Sequence, residues 1–230
     1  MLLTPPGFRP EMAAAGIEAG KNLFVEKPGA VDPVGIRSLL ETAKKAEEKR
    51  LSIVVGTQQR YAPQYLELIQ RIRDGQIGAL TMIEALWIGD MELWHYADRK
   101  PEWSDMEWQV RCWPFFTWLS GDHYVEQLVH NLDVANWVAG ATPAVCQGLG
   151  GRQVRVGPQF GNIFDHFAVR YEYPNGLPMF GLATQIRGIT TRVCNLIHGT
   201  KGKAEVNRGM ARITGEKPWQ FEGDAASGDL

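Results

Sequence analysis

The first 56 residues alternate helix, strand, helix, strand, and this alternation most constrains what the chain can fold into. Residues 11–20, Glu11-Met-Ala-Ala-Ala-Gly-Ile-Glu-Ala-Gly20, read as a short alanine-rich helix closed by Gly20. Asn22-Leu-Phe-Val25 follows as a short apolar run suited to a strand buried on both faces. Asp32 reads as the N-cap of the next helix, with Pro33 in its first turn. Ile36, Leu39, Leu40 and Ala43 recur at helical spacing, and Lys44 to Arg50 solvate its end. Leu51-Ser-Ile-Val-Val55 is a second buried strand. Strands joined by helices in this way form a parallel α/β layer.

After Gly56 the grammar changes. The pattern predicts a helix over Pro63–Arg73, stopped by Asp74-Gly75, and a strand over Leu80–Ile88. Residues 90–120 read as irregular and aromatic, with Trp94, Tyr96, Trp103, Trp108, Trp113, Phe115, Phe116 and Trp118. A helix is expected over Tyr124–Val138, closed by Gly140. Strands then dominate: Val145–Leu149, Phe164–Tyr173, Met179–Ile186 and Arg192–His198, with Asn175-Gly176 as a turn. The expected fold class is α/β plus α+β. Residues 1–58 form part of a Rossmann-type domain, and 59–230 a domain built on a large, mostly antiparallel open sheet.

Composition removes some functions. A formal net charge of −2 gives no global electrostatic case for nucleic acid. No run of about 18 apolar residues is present, so no membrane span is expected. The cysteines, Cys112, Cys146 and Cys194, form no CxxC pair and no zinc spacing, and read as buried thiols in a reducing compartment. Met1 to Pro10 lacks the basic and apolar regions of a signal peptide. The compartment stays open: cytoplasmic as the chain stands, exported if a signal lies upstream.

Three groupings can carry chemistry. Glu26-Lys27-Pro28 directly follows a buried strand, at the carboxyl end of the sheet, where open α/β folds bind ligands. A lysine there can orient a hydroxyl or stabilise an alkoxide; taken alone, Lys-Pro also fits an ordinary surface turn. At about 100° per residue Glu126, His130 and Asp133 share one helix face. A carboxylate there can orient the histidine as a general base, although a simple surface ion pair has the same spacing. His123, Glu126 and His130 form a rival, metal-binding reading of that helix. Asp122 reads as its N-cap. In the aromatic segment, Arg111, Trp113, Trp118 and Asp122 combine sugar-stacking faces with hydroxyl-binding groups; the same aromatics also suit a core or a subunit interface.

The order of these motifs resembles a known family. Thr4-Pro-Pro-Gly-Phe-Arg-Pro10 is followed by Gly20-Lys-Asn-Leu-Phe-Val-Glu-Lys-Pro28 and Gly56-Thr-Gln-Gln-Arg-Tyr61. Ser120-Gly-Asp-His-Tyr-Val-Glu-Gln-Leu-Val-His-Asn-Leu-Asp133 and Gly199-Thr-Lys-Gly202 complete the set. It looks like the glucose–fructose oxidoreductase/inositol dehydrogenase (Gfo/Idh/MocA) family, from Leu2 to about residue 210. The resemblance implies hydride transfer between NAD or NADP and a secondary alcohol of a sugar- or polyol-like substrate. It implies Lys27 as catalytic lysine, His130 as proton acceptor and Glu126 as its partner, where the family usually has Asp. Thr4, Pro5, Glu26, Lys27 and Pro28 would lie near the cofactor. Arg60, Tyr61, Arg111, Trp118 and Asp122 would lie at the substrate side, and the open sheet would join copies into a homo-oligomer. No G-x-G-x-x-G follows a strand, so the family's first strands, phosphate-cradling loop and ribose reader are expected upstream of Leu2. The C-terminus likewise lacks the family's usual final helical segment. Two alternatives remain: a relative that cleaves glycosides with no net redox change, and a non-catalytic carbohydrate-binding or oligomerisation fragment.

Overall fold

The computed structural model describes residues 1–89 and 99–225. In chain order its first elements are α1 (Arg9–Glu18), β1 (Leu23–Val25), α2 (Pro33–Glu48), β2 (Ile53–Val55), α3 (Pro63–Arg73) and β3 (Leu80–Gly89). Next come α4 (Asp105–Arg111), α5 (Thr117–Ser120) and, after a π-helical turn over Tyr124–Leu128, α6 (Val129–Ala139). The rest is β4 (Val145–Gly151), β5 (His166–Glu172), β6 (Pro178–Gln185), β7 (Arg192–Gly199), β8 (Gly202–Asn207), β9 (Met210–Gly215) and β10 (Trp219–Gln220). The described residues form two compact units: 1–56, 99–129 and 152–164 in one, 57–89, 130–151 and 165–225 in the other. The aromatic segment, which the sequence groups with the second domain, thus falls in the first unit. Trp94 and Tyr96 lie outside the described residues.

In the first unit β1 and β2 pair in parallel, Leu23 with Ile53 through Val25 with Val55. Leu2 adds a parallel bridge to Val25: its N–H donates to Phe24 O at 2.8 Å and its carbonyl accepts from Glu26 N at 3.0 Å. Ala13, Ile17, Leu23, Val25 and Ala46 are buried together, with Leu39 and Leu51 against them. Ile17 and Val25 lose all exposure, a burial worth about 2 kcal/mol for each side chain. α2 begins as its sequence dictates: Asp32 accepts from Gly35 N at 2.7 Å, and Pro33 fills the first position. A separate aromatic core holds Cys112, Phe115, Phe116, Leu119 and Ile163, backed by Phe8, Trp108, Trp113 and Phe160. From the tryptophan-rich segment Trp108, Trp113, Phe115 and Phe116 thus serve a core, and its described part contains α4 and α5 where the sequence suggests irregular chain.

The second unit is a sheet in the order β10-β9-β8-β7-β3-β6-β5-β4. Among the described residues only β3 and β6 of this sheet run parallel; the other neighbours are antiparallel. Leu68, Ile69 and Ile72 of α3 and Val134, Ala135 and Val138 of α6 pack with Ile83, Met179, Ile197, Ala204, Val206, Ala211 and Ile213. That covers one face of the sheet. Strands β8 to β10 extend it beyond the four late strands that the pattern predicts.

The helix expected over Tyr124–Val138 is two structures. In a π turn the hydrogen bonds run i to i+5, and the angular step falls below the α-helical value. The constant 100° spacing that groups Glu126 with His130 therefore does not run through residue 128. A second correction concerns the thiols. Cys112 and Cys194 are buried, but Cys146, on the edge strand β4, is exposed. Among the described residues no helix is long and apolar enough to cross a membrane.

Candidate active site

Lys27 is the second residue after β1, at the carboxyl end of the parallel strands. Its ammonium donates to Glu126 O at 2.6 Å and to Glu126 Oε1 at 2.5 Å. Both side chains are mostly buried, at 16% and 14% exposure. An ammonium has three N–H donors, so one is left for another acceptor. Glu126 Oε2 is buried with no hydrogen-bond partner among the described residues. Burial raises the Glu126 pKa above the ordinary carboxylate value; the Lys27 charge and hydrogen bond, and the Arg9 charge, oppose that rise.

The loop carrying Lys27 is fastened from below. Arg9, buried in α1, donates through Nη1 to Glu26 O at 3.0 Å and Pro28 O at 2.6 Å. Burial lowers the Arg9 pKa, with Glu126 and Glu26 acting against the shift. Glu26 Oε2 accepts from the Lys27 backbone N–H at 2.8 Å. The Lys27–Pro28 peptide is cis. A Cβ on Gly56, at the end of β2, would stand 2.4 Å from Glu26 Oε1. Glycine there leaves room for the Glu26 carboxylate in its present position. Thr4 and Pro5 follow the Leu2 bridge at this same end of the sheet, with Thr4 Oγ1 3.5 Å from Met12 Sδ.

His130 lies in the second unit, at the start of α6, and is 4% exposed. Its Nδ1 is 3.1 Å from Gln59 Oε1. Its ring stacks on Trp87 of β3, with centroids 5.9 Å apart and planes 23° from parallel. Next to Gln59, Arg60 grips Asp133 through Nε at 2.8 Å and Nη2 at 2.9 Å, and lies over the Trp137 ring. Asp133 raises the Arg60 pKa by hydrogen bonding, against the opposing effect of burial. Asn195 of β7 ties down the neighbouring Asn131 through two hydrogen bonds.

The other expected residues make contacts of their own. Asp122 is not an N-cap: its φ is 68°, and its carboxylate accepts from His123 N at 2.6 Å and Phe164 N at 2.7 Å. Arg111 pairs with Glu107 at 2.9 Å within α4 and lies over Trp103. Trp118 donates to Gln109 at 2.7 Å and meets the edge of Phe8. Tyr61 is exposed. Glu126, expected to orient His130, gives its hydrogen-bonded oxygen to Lys27. The rival metal reading of His123, Glu126 and His130 finds no support: among the described residues no three His, Cys, Asp or Glu side chains gather as a metal site. Sequence reasoning did not single out Arg9 or Gln59. Both stand inside the quoted motifs, but no local pattern marks them.

A parallel α/β layer with a lysine at its carboxyl edge, together with a mostly antiparallel sheet, defines a two-part α/β and α+β protein. The model of the GFO/IDH/MocA C-terminal domain matches residues 65–205, so the chain belongs to the Gfo/Idh/MocA family. An inositol 2-dehydrogenase/D-chiro-inositol 3-dehydrogenase of Lactiplantibacillus plantarum is 29% identical over 128 residues, covering 56% of this chain and 30% of the relative. A 2,7-anhydro-N-acetylneuraminate hydratase of Escherichia coli is 24% identical over 223 residues, 94% of this chain and 54% of the relative. The chain thus spans about half or less of the length of these curated relatives. Among solved structures, levoglucosan dehydrogenase in complex with NADH and levoglucosan superposes with a TM-score of 0.73 at 19% identity, covering 96% of this chain and 59% of the other. At that identity the likeness shows the fold.

Proposed function

We propose that this chain carries the chemical residues of an oxidoreductase that moves hydride between NAD or NADP and a secondary alcohol of a sugar- or polyol-like substrate. The observation that carries the reading is Lys27. It sits at the carboxyl end of β1, its ammonium is held by Glu126, and one N–H is left over. The relatives' names, an inositol dehydrogenase and a levoglucosan dehydrogenase, support the substrate class.

The residues at the strand ends fit the nicotinamide end of such a cofactor. Thr4 and Pro5 follow the Leu2 bridge, and Glu26, Lys27 and Pro28 follow β1, all at the carboxyl side, with Gly56 leaving room for the Glu26 carboxylate. No phosphate-cradling G-x-G-x-x-G stands in this sequence, so these residues alone would hold the cofactor weakly. When bound, the nicotinamide supplies the hydride acceptor. Lys27 donates its remaining N–H to the substrate oxygen and stabilises the negative charge that develops there. His130, in its neutral form, takes the hydroxyl proton. Trp118 and Tyr61 are exposed aromatics able to lie against a sugar ring. A second copy against the open sheet belongs to the same proposal; Val145 and Leu149 of β4 are exposed on it.

The test is formation of reduced nicotinamide by protein expressed from the complete reading frame, with NAD and NADP, over a panel of inositols, anhydrosugars and aldoses. Lys27→Ala is expected to lower kcat by about 10²–10³. Full turnover in that variant, or none by the wild type across the panel, overturns the reading. A second reading is favoured by the hydratase among the relatives, aligned over 94% of this chain. The bound cofactor would then take up hydride from the substrate and return it within each cycle. Product release with no net reduced nicotinamide would select it.

A further inference from the structure

We infer that Gln59 is the positioning residue of His130: its amide oxygen holds the proton on Nδ1 and leaves the basic lone pair on Nε2. This rests on the reading of His130 as proton acceptor. A neutral imidazole has one donor nitrogen and one acceptor nitrogen, and the group that each faces decides which is which. Gln59 Oε1 can only accept, and it stands 3.1 Å from Nδ1. Both side chains are buried, at 6% and 4% exposure. A mismatched pair there would lose a hydrogen bond that water cannot replace.

The surroundings make the contact directional. Gln59 and Arg60 are consecutive in a short 3-10 turn, Gln58–Tyr61. Gln59 faces His130 while Arg60 clamps Asp133, nearly one turn further along α6. One dipeptide therefore fixes both the rotation and the height of that helix end. Trp87 holds the plane of the ring from β3, and Asn195 holds Asn131 from β7. With the ring plane fixed and Nδ1 occupied, Nε2 has one direction left. The carboxylate that the motif spacing would assign to this histidine, Glu126, is engaged by Lys27 instead. The orienting work is divided: a carboxylate serves the lysine and a neutral amide serves the histidine. An amide fixes the tautomer without adding the negative charge that would favour the imidazolium.

The experiment is nitrogen NMR of the full protein with its histidine imidazoles labelled, the His130 signals being assigned by their loss in His130→Gln. The expected wild-type spectrum shows protonated Nδ1 and lone-pair Nε2. Gln59→Met, close in shape but without an acceptor, should shift the ring toward the other tautomer. Gln59→Glu, which keeps the acceptor, should retain Nδ1–H. On the active substrate, Gln59→Met should lower kcat about tenfold with KM little changed, the worth of one hydrogen bond, and Gln59→Glu should regain activity only as pH rises, because its charge favours the imidazolium. Wild-type His130 protonated on Nε2, or a Gln59→Met ring unchanged from wild type, overturns the inference. If Gln59→Met does not fold, the wild-type spectrum decides alone. Absence of turnover on every substrate would sink the proposed function, while the wild-type tautomer would still decide this inference.

Discussion

Glu126 binds Lys27 twice, through its backbone carbonyl at 2.6 Å and its carboxylate at 2.5 Å, so one residue fixes both the position and the charge partner of the candidate catalytic lysine. The π turn that holds Glu126 aims both groups at the same ammonium. A lysine on a flexible four-carbon stem becomes a directed donor only when it is held in this way.

The first prediction concerns pH and stability. Burial is the largest influence on Glu126 and raises its pKa. A carboxyl whose folded pKa lies above its unfolded value binds its proton more tightly when folded. Its contribution to stability is thus fully present below the ordinary glutamate range and is lost as pH rises through the raised value. Tm should be measured from mildly acidic pH to neutrality for wild type and Glu126→Gln. The wild type should lose stability relative to the variant as pH rises across that window. Parallel curves would refute the assignment.

Removing the cation alone should do more harm than removing the pair. Lys27→Met leaves a buried carboxylate without its ion-pair partner, a loss of about 3–5 kcal/mol for a fully buried pair, reduced here because Arg9 still acts on Glu126. Lys27→Met with Glu126→Leu should recover most of that loss. Urea denaturation at neutral pH of both single variants and the double completes the cycle. Additive effects would mean that the two groups do not interact.

The elements written in local chemistry were legible. The Asp32 cap and Pro33 mark the start of α2, and Pro63 and Asp74 bracket α3, because caps and breakers act within one turn. The alternation that gives Leu23–Val25 and Ile53–Val55 was plain for the same reason. The site was legible only in part. Lys27 could be chosen from its place after a strand, but its partner lies 99 residues away, and spacing on a helix pointed Glu126 elsewhere. Nothing in the apolar pattern of 124–128 separates a π turn from an α turn. Gln58 and Gln59 are indistinguishable by composition; only the folded 3-10 turn selects one. Late strands such as β9 carry just two buried apolar residues, Ala211 and Ile213, a weak period-two signal.

The cysteines give a simple check of burial. Cys112 and Cys194 are at most 2% exposed, and burial raises the Cys194 thiol pKa. Cys146 stands on the exposed edge strand β4. A thiol reagent applied to native protein should label Cys146 quickly and the other two only after denaturant is added. Cys146→Ser should abolish the fast phase. Rapid labelling of Cys112 would contradict the aromatic core around it.

Asp122 separates a structural role from a substrate contact. It is buried, adopts a left-handed φ of 68°, and accepts two backbone N–H bonds that tie residue 123 to residue 164. Asp and Asn tolerate this conformation better than most residues, and glycine pays no steric penalty in it. Asp122→Asn keeps the backbone geometry and one acceptor, and should lose about 1–2 kcal/mol. Asp122→Gly loses both bonds, at about 2–3 kcal/mol. Asp122→Ala adds about 1 kcal/mol of left-handed strain to that. The order wild type, Asn, Gly, Ala should appear in denaturation midpoints. A raised KM with unchanged midpoints in Asp122→Asn would instead make the carboxylate a substrate ligand.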